Sequence, residues 1–289
     1  MNLFDKLVTE ALKNQPDLSA LRIVVEKELL HHDILRTLQA NGLTEDLTFI
    51  GGTCLRTCYG GIRLSEDLDF TGGYNFSRDS LSTMGQILIE SLGSKYGLQI
   101  AVSEPIKEKD QQNVDTWKIK IETRPESKHL PSQRINIDIC SLPSYERRPM
   151  ILLNPYGVDM GTSGLIIQAQ SREEIYADKL IAFAFRPNRI KYRDLWDILW
   201  LHGQGLKPRL ELIPHKIKDR NHTMGYFLSM FDERKTLLTN TPKMEQEFNH
   251  EMLRFLPADQ INKTLAQENL WNFIAYLIED LGNQIRISQ

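Results

Sequence analysis

Cysteine is scarce in this chain: Cys54, Cys58 and Cys140 are the only three in 289 residues. An odd number without metal-ligand spacing excludes a disulfide framework and a zinc ribbon, and reads as reduced core thiols of a cytoplasmic protein. No run of about 20 apolar residues occurs, so no helix is set to span a membrane. The opening MNLFDKLVTEALKNQ mixes acids and bases with apolar residues at helical spacing, unlike a signal peptide. Charge of one sign is also missing. With 35 Lys+Arg against 38 Asp+Glu the net charge is -3, so any nucleic-acid binding must use a local basic patch. The phosphate-binding glycine signatures are incomplete. Gly51-Gly52-Thr53 is not followed by the Gly-Lys-Ser/Thr of a P-loop, and it lacks the third glycine of a dinucleotide fingerprint. Repeats and low-complexity tracts are absent.

What is present is ordinary globular composition, 41% apolar and 25% charged, in a chain long enough for one large domain or two modest ones. Helical spacing predicts a helix over 2–14 and a second from a cap at Asp17 or Ser19 to about Ala40. In the second, Leu21, Val24, Val25, Glu28, Leu29 and Leu35 share a register, and Asn41-Gly42 ends it. A short strand over 47–50 leads into Gly51-Gly52, and a helix over Thr53–Tyr59 closes at Gly60-Gly61. A strand is expected over 64–70 and a helix over 79–96. WKIKIE (117–122) and RINIDIC (134–140) alternate cleanly and are suited to antiparallel pairing across the loop between them. The first sets Lys118 and Lys120 opposite Trp117, Ile119 and Ile121. The second sets Asn136 and Asp138 opposite Ile135, Ile137 and Ile139. Ser171-Arg172-Glu173-Glu174 is a capping box for a helix to about Phe185, and another follows over 191–203. Beyond about 206 the pattern is helical only. The expected class is α/β (α+β): a mixed-sheet lobe with helices on one side over 1–205, then a mostly helical region over 206–289.

The densest information lies in GGTCLRTCYGGIRLSEDLDF, residues 51–70. On a strand, Ser65, Asp67 and Asp69 share one side, with Leu68 and Phe70 on the other. Two carboxylates about 4 Å apart repel by about 4 kcal/mol at an effective dielectric of about 20. A proton or a divalent cation between them relieves that. Oxygen-only donors suit Mg²⁺, or Mn²⁺ in its place, better than zinc. The glycine turn ahead of a helix start can cradle an anion with backbone N–H groups. Asp138, among isoleucines on the second alternating strand, supplies a third carboxylate if its strand neighbours the aspartate strand. Converging carboxylates of this kind hold the metals of in-line phosphoryl transfer.

Each feature also has a plainer reading. A Gly-Gly turn is common turn chemistry, and strand-edge acids are often just solvated. Lys179 by itself is a surface cation, and Asp194 and Asp197 share a helix face on which Arg193 could pair with Asp197. The basic residues of RPNRIKYR (186–193) and KPRLELIPHKIKDR (207–220) form the expected basic surface for RNA. His31-His32-Asp33 has no partner set at metal spacing. Trp196, Trp200, Trp271 and Tyr276 read as core packing.

The 51–70 segment resembles the first motif of the polymerase-beta-like nucleotidyltransferases. More narrowly, it is similar to that of the AbiEii/AbiGii-type nucleotidyltransferase toxins of type IV toxin–antitoxin and phage abortive-infection systems. The matching positions are Gly51, Gly52, Thr53, Leu55 and Arg56, then Arg63, Ser65, Asp67, Asp69 and Phe70. Asp138 matches the family's strand acid, Lys179 its helical lysine, and Arg193, Asp194 and Asp197 its Arg-Asp-x-x-Asp helix. The likeness runs in order from about 20 to about 203.

The resemblance implies transfer of a nucleotide from an NTP to an acceptor hydroxyl, with release of pyrophosphate. It implies Mg²⁺ on Asp67, Asp69 and Asp138, with Asp138 helping to deprotonate the acceptor. Gly51, Gly52, Thr53, Arg63 and Ser65 would hold the nucleotide's phosphates. Lys179 would neutralise triphosphate charge, and Asp194 or Asp197 would orient the nucleotide or Lys179. The implied acceptor is RNA, with the tRNA 3′ end favoured and a protein target as the alternative, and the implied partner is a cognate antitoxin protein. A small-molecule nucleotidyltransferase and a non-catalytic NTP-binding module are the alternatives. An acidic acceptor pocket would favour the former, and a basic groove would favour RNA.

Overall fold

The computed structural model describes residues 2–105, 113–126, 132–187, 189–241 and 243–288. It divides into two compact units, residues 1–170 and 171–289. In the first unit α1 (Leu3–Asn14) is capped by Asn2, whose side chain accepts from Asp5 N. The expected start of the second helix is a 3₁₀ stretch, Pro16–Leu21, that runs into α2 (Arg22–Ala40). Then follow β1 (Thr48–Ile50), α3 (Gly51–Tyr59), β2 (Leu68–Thr71) and α4 (Met84–Tyr96). The remaining strands are β3 (Ile100–Ser103), β4 (Val114–Ile121), β5 (Gln133–Cys140), β6 (Arg147–Ile151) and β7 (Ile166–Gln170).

All seven strands form one mixed sheet in the order β3-β4-β5-β2-β1-β7-β6. β2 pairs with β5, and β1 with β7, in parallel; the other neighbours are antiparallel. Strand alternation sorts the faces. Trp117, Ile119, Ile121, Ile135, Ile137, Ile139, Leu68 and Phe70 are buried, with α2 packed on β5 and α4 on β3. The opposite face of β4 and β5 carries Thr116, Lys118, Lys120, Arg134, Asn136 and Asp138.

Three departures from the sequence expectation have local causes. The strand expected over 64–70 is ordered as β2 only from Leu68. Its antiparallel partner β1 is short, with Ile50 opposite Asp69, and upstream the backbone bonds to side chains instead. Ser65 N donates to Glu28 Oε1 at 2.8 Å, and the Asp67 carbonyl accepts from Thr53 Oγ1. The α3 helix begins at Gly51 rather than Thr53, because Gly51 takes a left-handed φ of 77° at the strand-to-helix corner. β3, β6 and β7 lack a readable alternation. β6 is an edge strand carrying Pro149, where no ladder donor is required. The β4–β5 connection expected as a loop lies partly outside the described residues.

The second unit is helical: α5 (Arg172–Phe185), α6 (Tyr192–Gly203), α7 (Ile213–Asp219), α8 (Met224–Asn240), α9 (Lys243–Met252), α10 (Ala258–Lys263) and α11 (Leu270–Ile287). Ser171 caps α5, accepting from Glu174 N at 3.1 Å, as the capping box implies. α5 packs on α6 and α8, and α6 on α9 and α11. The helices over 172–203, grouped by sequence with the sheet lobe, thus share their core with the C-terminal helices. Trp196 is buried there, but Tyr276 is 65% exposed and does not belong to that core.

Candidate active site

Asp69 on β2 and Asp138 on β5 are register partners in a parallel pair, so both side chains leave the sheet on the same side. Gly51 lies against Asp69. A Cβ on Gly51 would stand 2.7 Å from Asp69 Oδ2, so glycine is required there both for that approach and for its positive φ. Gly52 admits a second neighbour. A Cβ there would meet Arg63 Nη2 at 2.1 Å. Arg63 is buried and donates from Nη1 to the Leu64 carbonyl at 3.1 Å. The glycine turn therefore rests on a carboxylate at one residue and a guanidinium at the next. Asp67 sits one step before β2, and its Oδ1 accepts from Asn136 N at 3.1 Å. The side chain thereby reaches across to β5.

Thr53 and Ser65 are buried, with Thr53 Oγ1 2.6 Å from Ser65 Oγ. Thr53 Oγ1 also donates to the Asp67 carbonyl. These hydroxyls fasten the aspartate segment to α3. Behind them stands a residue that no motif named. Glu28 of α2 accepts from Ser65 N at Oε1 and from Arg56 Nε at Oε2, at 2.8 and 3.1 Å, and from Tyr156 Oη. Arg56 in turn donates to the Gly61 carbonyl at 3.0 Å. Burial raises the Tyr156 hydroxyl pKa, and the adjacent Glu28 carboxylate raises it further. Its proton therefore stays on and donates. The sequence signal for this brace is a glutamate in register with the apolar face of α2. Tyr156 gives no such signal.

In the second unit Lys179 Nζ lies 2.6 Å from Asp194 Oδ1 and 2.8 Å from Asp197 Oδ2. Arg186 Nη2 reaches Asp194 Oδ2 at 3.0 Å. Burial by itself would raise the Asp194 carboxyl, but Lys179, Lys191 and Arg186 outweigh it and hold it below the usual carboxylate range. Burial lowers the Lys191 ammonium to about 8, against the pull of Asp194. Arg193, on the same helix, also meets α9 and the segment after it. It reaches Glu251 Oε1 at 3.3 Å and lies 4.5 Å from the centre of the Phe255 ring.

The expected basic surface is neutralised in part, and its Lys207 and Lys218 are exposed. Lys216 is buried against Glu174 and Asp178, and Arg209 and Arg220 also face acids. The His31-His32-Asp33 run is structural. His31 Nε2 donates to the Glu66 carbonyl at 3.0 Å, His32 Nδ1 lies 3.0 Å from Thr162 Oγ1, and Asp33 binds Lys95 at 2.5 Å.

A hard divalent cation matches Asp67, Asp69 and Asp138 in donor chemistry, with Asp69 and Asp138 in register on β2 and β5 and Asp67 one step before β2. Among the described residues, no three His, Cys, Asp or Glu side chains stand in a metal-holding group. The third carboxylate, Asp67, is turned onto Asn136 N.

A family model described as "Nucleotidyl transferase AbiEii toxin, Type IV TA system" matches residues 33–278. No curated protein matches the chain. Among solved structures, the chain is similar to "Crystal structure of JHP933 from Helicobacter pylori", at 17% identity and a TM-score of 0.46, with 92% of each chain covered.

Proposed function

The chain belongs to the AbiEii nucleotidyl transferase family of type IV toxin–antitoxin toxins, and from that premise we propose that Asp69 and Asp138, with Asp67, form its nucleotidyl-transfer centre, acting on an RNA acceptor. The observation that carries this reading is the register pairing of Asp69 with Asp138 beside the Gly51-Gly52 turn. The acceptor is a 3′ hydroxyl of RNA, with the tRNA end favoured. The growth-inhibiting act is modification of that end, and the partner is the cognate antitoxin.

The acceptor oxygen attacks the α-phosphorus of the NTP. The new O–P bond forms as the bond to the β-phosphate bridging oxygen breaks, and pyrophosphate leaves opposite the attacking oxygen. Asp138 takes the hydroxyl proton. The first turn of α3 presents the backbone N–H groups of Gly52 and Thr53 to the phosphates. Thr53, Ser65 and Arg63, buried as they are, act by fixing that turn and the aspartate segment. In the second unit Lys179 is the cation assigned to triphosphate charge, with Asp194 and Asp197 holding it. Mg²⁺, or Mn²⁺ in its place, on Asp67, Asp69 and Asp138 would supply charge neutralisation at the phosphoryl oxygens.

The test is incubation of the purified protein with each radiolabelled NTP, Mg²⁺ and total RNA. Label entering an RNA band supports the reading. Label entering only protein, or nothing, with a folded sample, overturns the RNA acceptor or the transfer centre respectively.

A further inference from the structure

The face of the sheet opposite the core carries a groove of about 600 Å³ that begins at Asp67 and is lined by Lys118, Lys120 and Arg134. We propose that this groove seats the acceptor, a polynucleotide strand whose backbone phosphates lie along those three cations. The proposal rests on the transfer reading above and adds the surface that selects the acceptor.

The register sets the three cations in a strip. Lys118 pairs with Asn136, and Lys120 with Arg134, on the same face as Thr116 and Asp138. Counting from Asp138 at ~3.4 Å per residue, the first cation stands about 7 Å away along the strands and the next two about 14 Å away. The strip thus leads away from the carboxylates in steps, as a chain of phosphates would. Its charge is open. Among the described residues Lys118 and Arg134 have no acidic partner, and both are exposed. Lys120 stands 3.6 Å from Glu122 in a pair with both side chains in solvent, an arrangement worth little and readily exchanged. Lys27, at the groove's edge, is matched by Glu66 at 2.8 Å and adds no net charge.

Position assigns the strip to the acceptor rather than to the nucleotide. The Gly51-Gly52 turn is at the end of β1, and the cations are on β4 and β5, with the order β4-β5-β2-β1 between them. Two strand spacings from β5 and three from β4 make that separation about 10–14 Å across the sheet, with Asp69 on β2 between. In an in-line displacement the attacking and leaving oxygens lie on opposite sides of the phosphorus. With the triphosphate tail at the glycine turn, pyrophosphate leaves on the β1 side and the acceptor arrives from the β4–β5 side. A cationic small molecule such as an aminoglycoside would meet repulsion there, whereas a polyanionic strand is drawn in.

The test uses the full chain with Lys118→Gln, Lys120→Gln and Arg134→Gln combined. All three are exposed side chains, so the melting temperature should match wild type. End-labelled total tRNA is bound by filter retention across a KCl series, and transfer kinetics are measured alongside. Loss of three single-strand phosphate contacts should flatten the slope of log K against log[salt] by about 2. It should raise KM for RNA while leaving KM for NTP unchanged. Unchanged RNA binding overturns the proposal, as does failure of wild type to bind RNA. A raised KM for NTP alone reassigns the cations to the nucleotide. Binding needs no turnover. If wild type binds RNA through these residues but transfers nothing, the groove stands and the transfer reading falls.

Discussion

Asp69 and Asp138 face each other across adjacent parallel strands, and Gly51 sits so close to Asp69 that a methyl group there would approach its carboxylate oxygen to 2.7 Å. The glycine turn and the acid pair are one construction. Gly51→Ala must therefore move Asp69, and must also hold a non-glycine residue at a φ of 77°. The expected result is a stability loss of about 1–2 kcal/mol from the backbone alone and a much larger proportional loss of transfer. Urea unfolding and label transfer on the same sample check this. Transfer reduced no further than the folded fraction would show that the close approach does not matter to the reaction.

The Glu28 brace makes a different demand. Glu28→Ala leaves the Arg56 guanidinium, Ser65 N and the Tyr156 hydroxyl buried without their acceptor. Removing one partner of a buried charge pair costs about 3–5 kcal/mol. Tyr156→Phe removes one donor and leaves the carboxylate its other two bonds, so about 1–2 kcal/mol is expected. The urea midpoints of the two variants should fall in that order.

How much of this was legible in the sequence depended on whether a residue's role was local. The Gly51-Gly52 turn, the alternation that puts Asp138 opposite isoleucines, and the Ser171 cap are set by near neighbours, and all three could be read in advance. The neighbouring of β2 and β5 was expected only conditionally, since strand order depends on long-range packing. Glu28 appeared in the helical register but not as a brace, because its partners lie 28, 37 and 128 residues away. Lys118 and Lys120 were visible as the polar side of an alternating strand. Their meaning came only with Arg134 beside them across the β4–β5 register. In the basic stretch over 207–220 the converse holds for Lys216, which is matched by Glu174 and Asp178 from a separate helix.

Acid should destabilise the protein through α2. Burial pulls His32 from 6.5 to about 4, and it lowers His31 as well. Both are neutral when folded, so between about pH 6.5 and 4 the unfolded chain binds more protons than the folded one. Stability is therefore highest above pH 6.5 and is lost as pH falls through that window. His32 alone accounts for about 3 kcal/mol. Urea midpoints from pH 7.5 to 4.5 should fall steadily, and His32→Gln should flatten the fall. A pH-independent midpoint contradicts the assignment.

Lys179 is expected to be structural as well as functional. Lys179→Met leaves two buried carboxylates, Asp194 and Asp197, without the ammonium that binds both. A loss of about 3–5 kcal/mol should follow. Adding Asp197→Asn should recover part of it, since one of the two carboxylates that the ammonium held is then neutral. A single variant as stable as wild type would contradict the clamp.

The most direct test of the transfer centre compares wild type with Asp69→Asn and Asp138→Asn in the label-transfer assay, each sample checked for its melting temperature. Both substitutions remove a charge while keeping shape. The predicted result is loss of label from RNA in both variants at an unchanged or slightly raised melting temperature, because a like-charge neighbour has been neutralised. Wild-type rates in either variant, or lost transfer that tracks a fallen melting temperature, would contradict the account.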